Sequence, residues 1–390
     1  MITVDQALAH LFDLVTPLPG EPVALRHATG RVLSEPVTAG RDQPPFAASA
    51  MDGYAVIADE ARPGARFRVT AESAAGRAAD RGIAPGEAIR IFTGAPMPKG
   101  ATRVIIQEDV IRDGDTITLR DALDESLYIR PAAADFAEGS TCFPRRALGP
   151  SDLVLLAAMN CATPTVVRRP VVALIATGDE LVMPGEIPGP DQIVASNIFG
   201  LAAMIEAAGG TARLLPIARD SEGALRAVFS MTEGVDLIVT IGGASVGDHD
   251  LVGAVAGSLG MEQAFYKIAM RPGKPLMAGR LNGVPMVGLP GNPVSAMVCG
   301  HVFLLPMLRA MLGLTAEPAP RLSAPLAAPL GPNGPREHYM RASFTDGKLT
   351  AFNRQDSALT SVLAAANALI LRPVGDGPRA AGDQVIYLPL

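Results

Sequence analysis

Arg271 and Lys274 lie on a stretch stiffened by two prolines and a glycine, Met270-Arg271-Pro272-Gly273-Lys274-Pro275. A second word, Gly288-Leu289-Pro290-Gly291-Asn292-Pro293-Val294-Ser295, follows shortly after it. Proline fixes φ and glycine permits backbone shapes closed to other residues, so the two cations sit on a rigid turn. In the second word an apolar run ends where Asn292 is placed to cap a helix opening on Pro293. A helix start offers free N–H groups and the positive end of a dipole. Two fixed cations beside such a start suit a small, doubly charged oxyanion, although solvated surface charge is the ordinary fate of Lys and Arg. At ~4 Å and an effective dielectric of ~20, each charge pair gives about 4 kcal/mol of gross attraction, enough for positioning once desolvation is subtracted.

Oxygen donors are spread more widely. Gly242-Gly243-Ala244-Ser245-Val246-Gly247 closes an apolar run. It either offers a phosphate the Ser245 hydroxyl and several N–H groups, or is a plain tight turn. It fits neither the GxGxxG nor the Walker pattern. Asp248-His249-Asp250 then adds two carboxylates that either ligate Mg²⁺ or cap the next helix. Asp52, Asp135, Glu180 and Asp220 are, taken singly, turn residues or helix caps. Converging on an anionic substrate, they would need a divalent metal between the like charges, and oxygen ligation of that kind suits Mg²⁺. Thr93, in Phe92-Thr93-Gly94-Ala95-Pro96-Met97-Pro98, is a polar residue on a rigid loop, structural or functional.

The elements that must hold these residues fall into distinct rhythms. Thr3 and Gln6 form a capping box ahead of Val4, Leu8, Leu11, Phe12 and Val15 at helical spacing. From Glu21 to about Ala134 short apolar strands alternate with Gly and Pro, and Asp113-Gly114 reads as a hairpin turn. Strands at 171–176, 212–217 and 236–241 then alternate with helical patterns after Ser196 and after Ser221. That alternation means a parallel or mixed α/β sheet. Ligands in such sheets bind outside the carboxyl ends of the strands, so the turns at Thr177-Gly178, Gly242-Gly243 and Pro290-Gly291 should border one crevice. After Leu314 a Pro-rich linker leads to further β-like runs at 339–344 and 385–388.

Bulk properties restrict the function classes. A chain of 390 residues exceeds one ordinary core. A formal charge of −6 argues against nucleic acid as a partner. The longest unbroken apolar run, 153–159, is far too short for a bilayer, and the N-terminus lacks a secretory pattern. Cys142, Cys161 and Cys299 form no CxxC, and the five histidines are scattered, which disfavours a His-based zinc site. A cytoplasmic protein without membrane association is expected.

Six of these words, in order, resemble the molybdopterin molybdenumtransferase family, which includes bacterial MoeA and the gephyrin E domain. They are Ser49-Ala-Met-Asp-Gly-Tyr-Ala55, Phe92-Thr-Gly-Ala-Pro96, Ala176-Thr-Gly-Asp-Glu-Leu181, Gly242 to Gly247, Arg271 to Pro275 and Gly288 to Ser295. The resemblance implies α/β plus β architecture in an elongated subunit, with a central α/β molybdopterin-binding domain built on a mixed three-layer sheet. The expected domains are 1–44 with 136–170, a β domain at 45–135, the α/β domain at 171–317 and a small β domain at 318–390. It also implies a Mg²⁺-assisted transfer of molybdenum from molybdate to adenylylated molybdopterin, releasing AMP. The subunits would pair as a homodimer with the active site across the interface, and a molybdopterin adenylyltransferase would act upstream.

Carried onto matching positions, Ser245, Lys267, Arg271, Lys274, Pro290, Pro293 and Ser295 line the molybdate pocket, with Arg336 reaching in from the C-terminal domain. Glu180, Asp220 and Asp250 handle the metal, and Asp52, Thr93 and Asp135 act from the other face. Thr177, Gly178, Gly242, Gly243 and Gly247 form the pterin and phosphate loops. Two departures stand out. Arg271 replaces the more common Lys, a planar fork for a point charge, and 356–361 is looser than the family's Ser/His-rich word. Competing readings are a molybdopterin adenylyltransferase, which typically carries Gly-Gly-Thr-Gly where this chain has Gly-Gly-Ala-Ser, and a non-catalytic gephyrin-like scaffold. A nicotinamide-dependent dehydrogenase lacks its fingerprint here.

Overall fold

The computed structural model describes residues 1–243 and 251–390. It opens on helix α1 (Val4–Asp13), where the Thr3 hydroxyl accepts from the Gln6 N–H and the Gln6 side chain returns the bond to the Thr3 N–H. The reciprocal cap satisfies two otherwise orphaned donors. Val4, Ala7, Leu8 and Leu11 are buried in the largest core of the molecule, each Leu contributing about 1.5–3 kcal/mol through loss of apolar surface from water. Short antiparallel pairs join Gly20–Pro22 to Thr165–Val167 and Val37–Thr38 to Thr141–Cys142. Helix α2 (Pro150–Ala158) packs into the same small cluster.

A six-stranded sheet lies between those segments: β1 (Gly53–Val56), β2 (Arg66–Ser73), β3 (Glu87–Ile91), β4 (Arg103–Ile106), β5 (Val110–Asp113) and β6 (Thr116–Leu119). Its order is β4-β1-β3-β2-β6-β5. The β5–β6 turn is Gly114-Asp115, since Asp113 pairs with Thr116. It lies one residue later than the sequence suggests, with Gly114 at φ 58, the left-handed shape glycine adopts freely.

The α/β domain comprises β7 (Val171–Ala176), α3 (Asn197–Ala207), β8 (Thr211–Leu214), α4 (Glu222–Phe229), β9 (Leu237–Ile241), α5 (Leu251–Ser258), β10 (Glu262–Tyr266), β11 (Met270–Arg271), β12 (Met277–Leu281), β13 (Val284–Leu289) and α6 (Pro293–Cys299). The sheet order is β8-β7-β9-β13-β12-β10. The first four strands run parallel, while β12 and β10 pair antiparallel. Every residue of β9 is buried, as continuous apolar runs in two-sided parallel sheets require. From α6 the helix continues through a π turn, Gly300–Leu304, into α7 (Leu305–Met311). This 19-residue run is long and apolar enough to cross a bilayer, a length the search for unbroken apolar runs missed. It is 78 % buried and serves as a core helix.

The last domain is a sheet of β14 (Leu322–Pro325), β15 (Glu337–Thr345), β16 (Lys348–Ala351), β17 (Ala368–Arg372) and β18 (Gln384–Pro389), with the short helix α8 (Thr360–Ala365) alongside. Its edge is completed by β11, which pairs parallel with β15 so that Arg271 lies opposite His338. The cationic word therefore leaves the α/β sheet and is held by the C-terminal domain, an attachment its sequence does not reveal.

Candidate active site

Three strand-end turns meet. Beyond the carboxyl ends of β7, β9 and β13 lies a cavity of about 700 Å³, lined by Thr177, Gly178, Gly242, Gly243, Pro290 and Gly291 among others. This is the crevice expected from the strand pattern. The turns interlock: Thr177 N–H donates to Ile241 O at 3.0 Å, Gly242 N–H to Leu289 O at 3.0 Å, and Gly178 N–H to Ala218 O at 3.1 Å. Glycine is needed where they touch. At Gly242 (φ +94) a Cβ would stand 2.8 Å from Thr177 O. Asn197 donates its Nδ2 to Gly291 O at 2.6 Å, tying α3 to the third turn.

Glu180 and Asp220 both line the cavity and both are exposed. Arg219 between them staples the turn, its guanidinium donating to the carbonyls of Asp179 and Leu181 at 2.9 Å. Asp220 N–H donates to Asp179 Oδ1 at 3.1 Å. The Glu180 carboxylate folds over Gly178, where a Cβ would come within 2.3 Å of Oε2.

The cationic loop stands at the cavity edge, which it reaches through Pro275. Lys267 N–H donates to Leu276 O and Ile268 N–H to Lys274 O, both at 3.0 Å, so Lys267 and Lys274 flank the base of one closed loop. Arg271 and Lys274 are exposed, and neither makes an ion pair among the described residues. Gly273 (φ +108) rests on the core, where a Cβ would lie 2.6 Å from Cys299 Sγ. His338 is buried beneath Arg271. Burial, and then the charges of Arg271, Arg341, Arg372 and Arg336, hold its imidazole down at about 4. Arg336 is absent from the cavity lining.

Two expectations about α6 need correction. Asn292 is the N-cap residue, yet its side chain caps nothing. Pro293 has no N–H, and Val294 gives its own to Ser357 O at 3.1 Å from the C-terminal domain. The first turn is therefore less open to an anion than its sequence suggests. Pro290 and Pro293 do line the cavity, whereas Ser295 is buried in α6 outside its lining. Ala358, from the C-terminal segment that docks on α6, joins the wall.

The second acidic set is elsewhere. Asp52, Thr93 and Asp135 are absent from the cavity lining. Asp52 Oδ1 accepts from the Thr93 N–H at 2.7 Å and from its hydroxyl at 2.8 Å. These bonds, in that order, and then the Arg90 charge hold the Asp52 carboxyl below the usual range, against a smaller upward push from desolvation. Asp135 is exposed, its N–H donating to Gln43 O at 2.9 Å. Ser245, Gly247 and Asp250 lie outside the described residues.

The family patterns match in the order the fold presents. "MoeA N-terminal region (domain I and II)" matches residues 2–160, "Probable molybdopterin binding domain" 173–310 and "MoeA C-terminal region (domain IV)" 323–390. A Nostoc protein named molybdopterin molybdenumtransferase is 34 % identical, over 97 % of this chain and 92 % of its own length. Molybdopterin molybdenumtransferase 2 of Mycobacterium tuberculosis is 36 % identical over 93 % of each. The chain belongs to the molybdopterin molybdenumtransferase family. A molybdopterin biosynthesis MoeA protein of Pyrococcus horikoshii has the same fold, with a TM-score of 0.84 at 25 % identity, each chain covered in full. The α/β plus β multidomain architecture is thus that of the transferase family.

Two residues packed around these groups escaped the sequence reading. His338 carries no local signal, because its importance arises from pairing with a strand in another domain. Arg90 sits in a strand word, Ala88-Ile-Arg-Ile-Phe92, where alternation marks it as an outward, solvated charge. Its partner ring Tyr54 lies on a paired strand far away in sequence, so only Phe92 was a local clue.

Proposed function

We propose that the protein transfers molybdenum from molybdate to adenylylated molybdopterin, forming molybdenum cofactor and releasing AMP. The observation that carries this reading is the convergence of three glycine-bearing strand ends beside the loop of Arg271 and Lys274. It occurs in a chain matched nearly end to end by relatives named molybdopterin molybdenumtransferase. The loop would hold the tetrahedral dianion through Arg271, Lys274 and Lys267, with Arg336 closing from the C-terminal domain. The glycine turns at Gly178, Gly242 and Gly243 would let the phosphate and pterin portions approach the backbone closely, and the walls would exclude water. Fixing both reactants and presenting charge in advance would supply most of the acceleration.

Mg²⁺ fits this donor set in a particular way. Among the described residues no group of three or more His, Cys, Asp or Glu is placed to cage a metal. Mg²⁺ usually retains several waters and takes only one or two carboxylates plus substrate phosphates. Glu180 and Asp220 provide two such carboxylates on the cavity. When bound, the ion would neutralise the charge of the phosphoanhydride facing those acids. The chain's own residues would then orient the substrate and leave the two carboxylates open to the ion.

Asp52, Thr93 and Asp135, which lie outside the lining of the described cavity, would serve the cavity of a second subunit in a homodimer. The upstream supplier would be a molybdopterin adenylyltransferase. The test is reconstitution of purified protein with adenylylated molybdopterin, molybdate and Mg²⁺, read by activation of a molybdenum-free apoenzyme. Lys274→Ala should raise the molybdate requirement about tenfold, the scale of losing one charged hydrogen bond. Accumulation of adenylylated product from ATP and molybdopterin, without metal insertion, would replace this reading with adenylyl transfer.

A further inference from the structure

Around Asp52 the chain is wired through one side chain that touches neither the carboxylate nor the cavity. The Arg90 guanidinium lies over the Tyr54 ring, 5.0 Å from its centroid, and over the Phe92 ring at 4.8 Å. It donates to Gly53 O at 3.1 Å and to Gln107 Oε1 at 2.8 Å. Each partner leads back to Asp52. Gly53 and Tyr54 follow it directly in the chain, Phe92 precedes its hydrogen-bond donor Thr93, and Gln107 gives its own N–H to Asp52 O at 3.1 Å. Strand register places Tyr54 opposite Arg90 and Gly53 opposite Ile91. The half-buried guanidinium makes no ion pair with a carboxylate among the described residues, although Glu87 of the same β domain pairs with both Arg68 and Arg81.

We infer that Arg90 is a positioning residue for the Asp52 carboxylate, locking together the three segments that carry and bond it. The inference rests on the proposed role of Asp52 in molybdenum transfer. A planar, always charged fork is required for this task, because it stacks on two rings and donates in two directions at once. A lysine supplies charge alone. Arg90 therefore acts through Asp52 and through nothing else at the site.

That exclusivity gives the test. Thermal melting, kcat and the molybdate KM are measured for Arg90→Gln, Arg90→Lys, Asp52→Asn and the double variant Arg90→Gln/Asp52→Asn in the reconstituted insertion assay. A misplacement of this order should lower kcat by about tenfold in Arg90→Gln while KM for molybdate stays within about twofold. Arg90→Lys should recover only part of kcat. In the Asp52→Asn background the Arg90→Gln change should cost nothing further, since residues acting as one unit are not additive. An equal factor in both backgrounds, or full activity in Arg90→Gln, would overturn the inference. If Arg90→Gln fails to fold, Arg90→Lys with and without Asp52→Asn carries the same comparison. Should Asp52→Asn itself turn over normally, the assignment of Asp52 fails and the role of Arg90 falls with it, an outcome distinct from an impaired Asp52→Asn beside an unaffected Arg90→Gln.

Discussion

Asp52 accepts two hydrogen bonds from Thr93 and sits in a frame closed by Arg90, whereas Glu180 and Asp220 stand on the cavity with no donor to their carboxylates among the described residues. The two regions hold the same chemical group in opposite states of preparation. In the β domain, strand register and a tight loop settle the carboxylate before any substrate arrives, the arrangement that avoids reorganisation during reaction. In the α/β domain only the turn bearing the acids is fixed, through Arg219, and on the proposed function their oxygens would take an ion that arrives with the substrate. A preset acid suits a constant electrostatic task. Open acids suit an ion that comes and goes.

The largest effect should come from breaking the preset corner at its backbone. Gly53 follows Asp52, and a Cβ there would stand 2.0 Å from Ile105 O and 2.8 Å from Ile105 C. Those atoms belong to the neighbouring strand and cannot step aside as a flexible side chain can. Gly53→Ala should destabilise the protein by about 3 kcal/mol, at the upper end for overpacking, seen as a lower denaturant midpoint. An unchanged midpoint would mean the corner is far softer than its register implies.

Next in size are the acids themselves. Asp52→Asn should lower kcat about a hundredfold, the scale of removing one preorganised electrostatic group, with melting close to wild type. Glu180→Gln and Asp220→Asn should act differently, each raising the Mg²⁺ requirement about tenfold in line with lost metal contacts, while saturating Mg²⁺ restores much of kcat. If excess Mg²⁺ rescues Asp52→Asn equally well, the contrast between preset and open acids is wrong.

How much of this was legible depended on whether the signal was local. The strands at 171–176 and 237–241 could be read because both faces of a parallel sheet are buried, leaving runs that are apolar throughout in the first and interrupted only by Thr240 in the second. The convergence of Thr177-Gly178, Gly242-Gly243 and Pro290-Gly291 followed from strand polarity alone. Helix α1 announced itself through its capping box. By contrast, β8 stops at Leu214, short of the 212–217 run, where the chain must turn toward Ala218 to support the Glu180 turn. The docking of Ser357 on α6 and of β11 on the C-terminal sheet joins segments far apart in sequence. No window of residues contains both partners, so neither His338 nor the lost helix N–H could be read in advance.

The smallest prediction tests the corner without breaking it. Thr93→Val keeps the backbone N–H that bonds Asp52 and removes only the hydroxyl, the second-largest of the three causes that lower its carboxyl. The Asp52 titration, followed by carboxyl carbon NMR, should therefore move up toward the ordinary value of 3.8 without reaching it, since the N–H bond and the Arg90 charge remain. The sign for stability follows by linkage. A carboxyl lowered in the folded state contributes stability that is complete above its unfolded value and is lost as pH falls through its folded value. Thr93→Val narrows the gap between those two values, so its acid unfolding should be less steep across that window than in wild type. A titration of Asp52 unmoved by the loss of the hydroxyl would show that the N–H and Arg90 alone prepare the acid, leaving Thr93 with a backbone role only.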